Sequence, residues 1–212
     1  RNHLSLQDAS LPLLQAAARR LAEMGAEALV IFFVNSYANN SNEQAAVLAA
    51  RAVWPNEFVM ASSEILPEIR EFERASTAAL NAYLQPVLGH YLQRLETALA
   101  ADGFAGEVLI HQSNGGVMQV GTARRLPVRT ALSGPAAGVV AAGHIAQAAG
   151  FENVITCDMG GTSFDVSVVA GGAHAISPQG TVQYIYVHFK ALIWRAGRRI
   201  PVGNYHAAEG IC

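Results

Sequence analysis

The chain has 212 residues, 51% of them hydrophobic and 14% charged, with a formal net charge of -2, so a sizeable core is available in one large or two modest domains. The near-neutral balance gives no electrostatic basis for binding nucleic acid or an anionic membrane. No apolar run approaches the roughly 20 residues of a membrane span, no N-terminal signal is visible, and two cysteines, Cys157 and Cys212, fit a reducing cytosol better than a disulfide framework.

Asp8 to Ser10 is a polar approach to a helix carrying Leu11, Leu14, Ala18 and Leu21 at helical spacing, stopped near Gly25. Ala28 to Val34 is a continuous apolar run, as a parallel strand covered on both faces requires. This helix-then-strand order suits a layered α/β sheet. Asn35 to Ser41 follows at the carboxyl end of that strand, where open α/β sheets place ligands; it is either a site wall or a turn into the next helix. That helix runs from Glu43 to about Trp54 and is broken by Pro55. Phe58 to Ala61 reads as a short strand leaving through Ser62-Ser63-Glu64. In the charged run Pro67 to Arg74, Glu68, Arg70, Glu71, Glu73 and Arg74 could pair along a helix or make a local polar network, with a solvated helical face as the default reading.

Thr77 to about Ala101 is the longest helical candidate. Leu80, Tyr83, Leu84, Val87, Leu88, Tyr91, Leu92, Leu95 and Leu99 predict one broad apolar face, with the tyrosines in the core and a kink at Pro86. Val108 to Ile110 starts another strand, and Ser113, Asn114, Gly115 and Gly116 form a polar glycine-rich turn before Val117 to Val120. Its hydroxyl, amide and backbone donors suit a substrate carbonyl, carboxylate or phosphate; the bland reading is a hairpin turn. Arg124, Arg125 and Arg129 could meet phosphate, with surface ion pairs as the default reading.

From Ser133 to Ala149 small residues predict a closely packed helix, with Ser133 as its cap, Pro135 in its first turn and Gly150 as its stop. Val154 to Val169, VITCDMGGTSFDVSVV, then reads as a strand, a Gly-Gly turn and a returning strand. Gly160 and Gly161 let backbone N–H groups converge on an anion. Asp158 and Asp165 suit Mg²⁺, which takes one or two carboxylates beside phosphate oxygens, or the orientation of an attacking water. The Lys that a strand-to-helix phosphate loop requires is missing, so this is a hairpin clamp, or else a plain tight turn. Cys157 falls within the first strand and is expected to be a small core residue.

Several stretches share one likeness. Phe33 to Asn39 with Glu43-Gln44, Ser63-Glu64 through Arg74 to Thr77, Gln112-Ser113-Asn114-Gly115-Gly116, and Ser133-Gly134-Pro135 leading to Asp158-Met159-Gly160-Gly161-Thr162-Ser163-Phe164-Asp165 together resemble the hydantoinase/5-oxoprolinase A family. That family is part of the actin, Hsp70 and sugar-kinase superfamily, and the resemblance covers about residues 1–182. It implies an α/β fold with partial actin-like, ribonuclease H-like nucleotide-binding lobes: residues 1–74 would end one domain and 75–182 begin the next. It also implies ATP and Mg²⁺ as cofactors and a cyclic amide, a hydantoin or 5-oxoproline, as substrate. Asp158 and Asp165 would act on metal or water, Gly160, Gly161, Thr162 and Ser163 on phosphate, and Ser113 to Gly116 on substrate. A hydantoinase B-like partner subunit and the remainder of the subunit would complete the enzyme in the cytoplasm. Related ketone carboxylases and non-catalytic nucleotide-binding modules of the superfamily are the alternatives.

Where the wider superfamily often carries a Glu ahead of the Pro, this chain has Gly134, so that residue's role does not transfer. Only one phosphate hairpin is present, and the isolated chain is expected to need its absent lobe to bind nucleotide. Residues 183–212 depart from the family pattern. Lys190, Arg195, Arg198 and Arg199, four of the fourteen Lys and Arg, cluster there among aromatics. This tail reads as an artefactual end or a shifted reading frame, with a basic membrane- or partner-binding segment as a minor alternative.

Overall fold

The computed structural model describes residues 10–160 and 164–176, and the backbone of 180–182, 185–187 and 194–196. Its elements in chain order are α1 (Leu11–Glu23), β1 (Leu29–Ile31), α2 (Ser41–Arg51), β2 (Val59–Ala61), α3 (Ser62–Ile65), α4 (Glu71–Ala101), β3 (Leu109–His111), β4 (Val117–Gln119), α5 (Val120–Arg125), a 3-10 turn (Pro127–Thr130), α6 (Ser133–Ala148), β5 (Val154–Met159), β6 (Phe164–Ala170), β7 (Ala173–His174), β8 (Gly180–Val182), β9 (Ile185–Val187) and β10 (Trp194–Ala196). They group into two units, Arg1–Val108 with Val120–Val128 and Thr181–His188, and Leu109–Gln119 with Arg129–Gly180 and Phe189–Cys212. Residues 74 and 75 both lie within α4, which groups with the first unit. No helix among the described residues is long and apolar enough to cross a membrane.

In the first unit β1 and β2 run parallel, with Val30 opposite Met60. Both faces are covered, as the continuous apolar run predicts. Ile31, Val59 and Ala61 pack with Ala18, Ala46, Val47, Ala50 and Trp54 on one side, while Met60 packs with Ala78, Ala82, Leu126 and Val128 on the other. Gly25 ends the α1 turn at a φ of 87°, a conformation that glycine adopts without Cβ strain.

The long helix α4 turns a different face inward from the one its leucines and tyrosines predict. Its buried residues are Arg74, Thr77, Ala78, Asn81, Ala82, Gln85, Pro86, Gly89 and Leu92. Tyr83 is 77% exposed, Val87 71% and Tyr91 52%. The Phe58 ring packs against this inward face, 3.5 Å from where a Cβ on Gly89 would lie. Asn81 then closes the contact, its amide nitrogen donating to the Arg125 carbonyl at 3.1 Å and its oxygen accepting the Val128 N–H at 3.2 Å.

In the charged run Arg70 stays exposed and pairs with Glu73 at 3.4 Å, whereas Arg74 enters a local polar network. Arg74 and Glu43 are each 0% exposed. Glu43 accepts the Phe33 N–H at 2.8 Å, the Ser62 hydroxyl at 2.7 Å, and the Ser63 N–H and hydroxyl at 3.0 and 2.6 Å. Arg74 donates to Ser62 Oγ at 3.3 Å, the Glu68 carbonyl at 2.9 Å and the Phe33 carbonyl at 2.8 Å, pairs with Glu71, and lies over the Phe32 ring. Glu71 in turn accepts the Asn35 N–H at 2.9 Å, where Asn35 adopts a φ of 62°. The carboxyl ends of both parallel strands, where open sheets place ligands, are thus joined by the protein's own charges. Arg124, as expected, pairs at the surface with Glu57 at 2.7 Å.

Burial pushes the Glu43 carboxyl up, but hydrogen bonds from Ser63, Ser62 and the Phe33 backbone outweigh it and hold it below the ordinary 4.5. Its contribution to stability is therefore complete above the unfolded carboxyl's value and is lost as pH falls through the lower folded value. The gap in urea midpoint between the protein and its Glu43→Gln variant is expected to close as pH falls from about 6 to about 3. A gap independent of pH would refute this. Arg74→Ala strips one partner from a buried network and is expected to cost about 3–5 kcal/mol in urea unfolding, with Arg74→Lys recovering only part because an ammonium lacks the guanidinium fork.

Candidate functional site

The second unit assembles around α6 and the β5–β6 hairpin. The helix begins at Ser133 with Leu132 as its cap residue and no side-chain cap bond, so Ser133 does not play the capping role its sequence suggests. Ser113 instead buttresses the approach to the helix. Its hydroxyl donates to the Arg129 carbonyl at 2.8 Å and accepts the Leu132 N–H at 3.3 Å, and its own N–H donates to the same Arg129 carbonyl at 2.7 Å. Gly150, with a φ of 87°, ends the helix as expected.

Residues 149–153 are too few to do more than turn the chain back, so β5 runs opposite to α6 along its length. The first turn of α6, with N–H groups that have no intrahelical acceptor, therefore lies toward the Asp158 end of β5. Small residues allow the close approach. At Gly143 a Cβ would stand 2.5 Å from the His174 ring.

The β5–β6 pair is the antiparallel hairpin its alternation predicts, with Thr156 opposite Ser167 and Asp158 opposite Asp165. Register places both carboxylates on one face. Asp165 is 5% exposed, Ser167 2% and Val169 3%, whereas Asp158 is exposed. Both Asp residues line a groove of about 380 Å³ together with Pro135, Gly138 and Ala142 of α6 and Thr156 of β5. Directly opposed like charges destabilise a strand pair, and a cation between them relieves that cost. On the far side of β6, the backbone register of β10 sets Arg195 opposite Asp165.

The hairpin thus joins Asp158 and Asp165, and Gly160 follows directly on the exposed end of β5; Gly161, Thr162 and Ser163 lie outside the described residues. Ser113, Asn114, Gly115 and Gly116 occupy the separate β3–β4 hairpin and are not among the residues lining the groove. Within that turn Asn114 accepts the Gly116 N–H at 3.0 Å and Gly115 takes a φ of 82°. Sequence reasoning missed Thr156, Pro135, Gly138 and Ala142 as groove residues; the run of small residues in α6 was the available signal. Cys157, expected in the core, is an exposed free thiol. It alternates along β5 with Ile155, 70% exposed, and Met159, 80% exposed, and Ile155 and Cys157 also contribute to the rim of the groove.

All the acidic donors of the groove are carboxylate oxygens, which suits a hard cation such as Mg²⁺. Among the described residues no group of three or more His, Cys, Asp or Glu is placed to hold a metal, so the pair would share such an ion with oxygens from elsewhere.

Residues 74–196 match the hydantoinase/oxoprolinase family. The caprolactamase alpha subunit of Pseudomonas jessenii is 41% identical over 159 residues, covering 75% of this chain and 23% of that one. The acetophenone carboxylase gamma subunit of Aromatoleum aromaticum is 32% identical over 161 residues, covering 71% of this chain and 21% of that subunit. In three dimensions the crystal structure of ATP-dependent caprolactamase from Pseudomonas jessenii superposes with a TM-score of 0.79 at 36% identity, covering 88% of this chain and 27% of that one. The chain spans about a quarter of the length of these relatives. With an α/β fold like theirs and more than half its length matched, it belongs to the hydantoinase/oxoprolinase family.

Proposed function

We propose that these residues form the phosphate-binding hairpin of an ATP-dependent hydrolase of cyclic amides. The observation that carries this reading is the Asp158–Asp165 pair, set in register on one face and opening into a groove beside the first turn of α6. Helix N-termini attract phosphate, and a carboxylate pair beside them suits a metal-bound polyphosphate. The family and the lactam-cleaving relative supply the substrate class.

In this reading Asp158 and Asp165 hold Mg²⁺, or one of them orients the attacking group, while Gly160, Gly161, Thr162 and Ser163 receive phosphate oxygens. Bound Mg²⁺ would neutralise charge on the phosphates. The γ-phosphoryl group passes to the amide carbonyl oxygen and ADP leaves; one water adds to the activated carbon and the ring C–N bond opens, releasing the amine and leaving an acyl phosphate, which a second water hydrolyses to carboxylate and phosphate. Such transfer depends on positioning and charge stabilisation more than on covalent work by the protein. Asn114, Gly115 and Gly116 meet the substrate from a turn that Ser113 anchors. The catalytic unit includes the rest of a longer subunit and a hydantoinase B-like partner, in keeping with a relative that is itself an alpha subunit, and works in the cytoplasm.

A ketone carboxylase is the second reading, favoured by the likeness to the acetophenone carboxylase subunit. A chimera separates the two. The matched segment of the Pseudomonas jessenii caprolactamase alpha subunit is replaced by this chain's, and phosphate release from Mg·ATP is measured with caprolactam, 5-oxoproline, or acetophenone plus bicarbonate. Amide-stimulated release is expected, falling on the order of 100-fold in Asp158→Ala and in Asp165→Ala with unchanged unfolding midpoints. Equal turnover in these variants would sink the assignment of the pair. Stimulation by acetophenone and bicarbonate alone would select the carboxylase, and ATP binding without release would select a non-catalytic module.

A further inference from the structure

Ser113 is 1% exposed, and its hydroxyl is already committed inside the protein. Its N–H and its hydroxyl both donate to one acceptor, the Arg129 carbonyl, at 2.7 and 2.8 Å, and the hydroxyl oxygen accepts the Leu132 N–H at 3.3 Å. A hydroxyl has one hydrogen to give. Given to Arg129, it cannot also meet a substrate oxygen, so Ser113 is not itself a substrate contact.

What the hydroxyl does is join two pieces of the second unit. On one side is the glycine-rich turn. The Gln112 N–H donates to the Gly116 carbonyl at 2.8 Å, the Gly115 N–H to the Gln112 carbonyl at 3.0 Å, and the Gly116 N–H to Asn114 Oδ1 at 3.0 Å. The turn is closed by its own bonds, so a pull on its tip reaches Ser113 instead of being absorbed on the way. The Asn114 oxygen is used on Gly116, which leaves the amide nitrogen to donate to a carbonyl oxygen. On the other side is the start of α6. The Leu132 carbonyl accepts the Ala136 N–H at 3.2 Å, opening the helix, and the N–H of the same residue is the one that Ser113 holds. The three bonds of Ser113 are unequal. The two to Arg129 are short, while the one to Leu132 is longer than the usual length of about 2.9 Å and has room to tighten.

We propose that Ser113 is a positioning residue that couples the Asn114-Gly115-Gly116 turn to the phosphate groove: a cyclic amide held by the turn draws the Ser113 hydroxyl onto the Leu132 N–H and fixes the first turn of α6. The inference rests on the cyclic-amide reading of the site. A helix start that is already fixed has less ordering left to undergo when phosphate arrives, so the amide tightens the nucleotide. By linkage the nucleotide tightens the amide by the same factor. The consequence is economy of ATP, because the groove grips the nucleotide firmly only when an acceptor for its phosphoryl group is in place.

The test uses the chimeric caprolactamase alpha subunit described above, assembled with its partner subunit. Calorimetry gives the Kd of a non-hydrolysable Mg·ATP analogue with and without saturating caprolactam, and the Kd of caprolactam with and without the analogue. Each ligand is expected to tighten the other on the order of tenfold, and Ser113→Ala to bring both ratios to within about twofold of unity. Ser113→Cys keeps the volume with a weaker hydrogen-bonding group, is expected to act in the same way, and serves where the alanine variant does not fold. A residue that only supports the fold would weaken each ligand alike whether or not the other is bound. Ratios that persist in Ser113→Ala or Ser113→Cys, or a ratio of unity in the unmutated chimera, overturn the proposal. Failure of the cyclic-amide reading looks different: no cyclic amide binds the chimera or stimulates phosphate release, and the coupling falls with it.

Discussion

Two charges with no exposure to water hold the first unit together. Removing Glu43 and Arg74 from solvent is tolerable only because each is surrounded by partners: the carboxylate by two hydroxyls and two backbone N–H groups, the guanidinium by two carbonyls, a hydroxyl, Glu71 and an aromatic face. Ser62 touches both and links them. The loop after β1, the start of α3 and the start of α4 are therefore tied to one another. The position at which a parallel sheet usually receives a ligand is occupied in this unit by an internal ionic joint, and the segments there act as framework.

The second unit uses polar groups differently. Its hairpin sets Asp158, exposed, directly opposite Asp165, buried, on the face that opens into the groove. The surrounding pieces serve this geometry. Small residues bring α6 close to the strands, the short return from α6 to β5 directs the helix start toward Asp158, and Ser113 secures the approach to that helix from a neighbouring hairpin.

The long helix α4 shows why amphipathic patterning misleads where backbones come close. Its inward face mixes small residues with large polar ones: Ala78 and Ala82 pack with Met60 of β2, Gly89 lies in contact with the Phe58 ring, and Asn81 is buried because the connection at Arg125 and Val128 offers matched backbone groups. Tyr83, Val87 and Tyr91 are left outside.

Much was legible in the residues alone: the helix, strand and hairpin order, the parallel run covered on both faces, the glycine stops at Gly25 and Gly150, and the strand-turn-strand carrying Asp158 and Asp165. These are local consequences of periodicity, of backbone freedom at glycine and of the two-residue repeat of a strand, and they need no knowledge of distant neighbours. Tertiary structure alone decided that Arg74 is buried, that α4 turns its small residues inward, that Cys157 is exposed and that Ser113 spends its hydroxyl on backbone. Each depends on what another segment brings to the same place. A charge enters the interior only if remote partners meet it, and a strand residue stays in water whenever nothing covers its face.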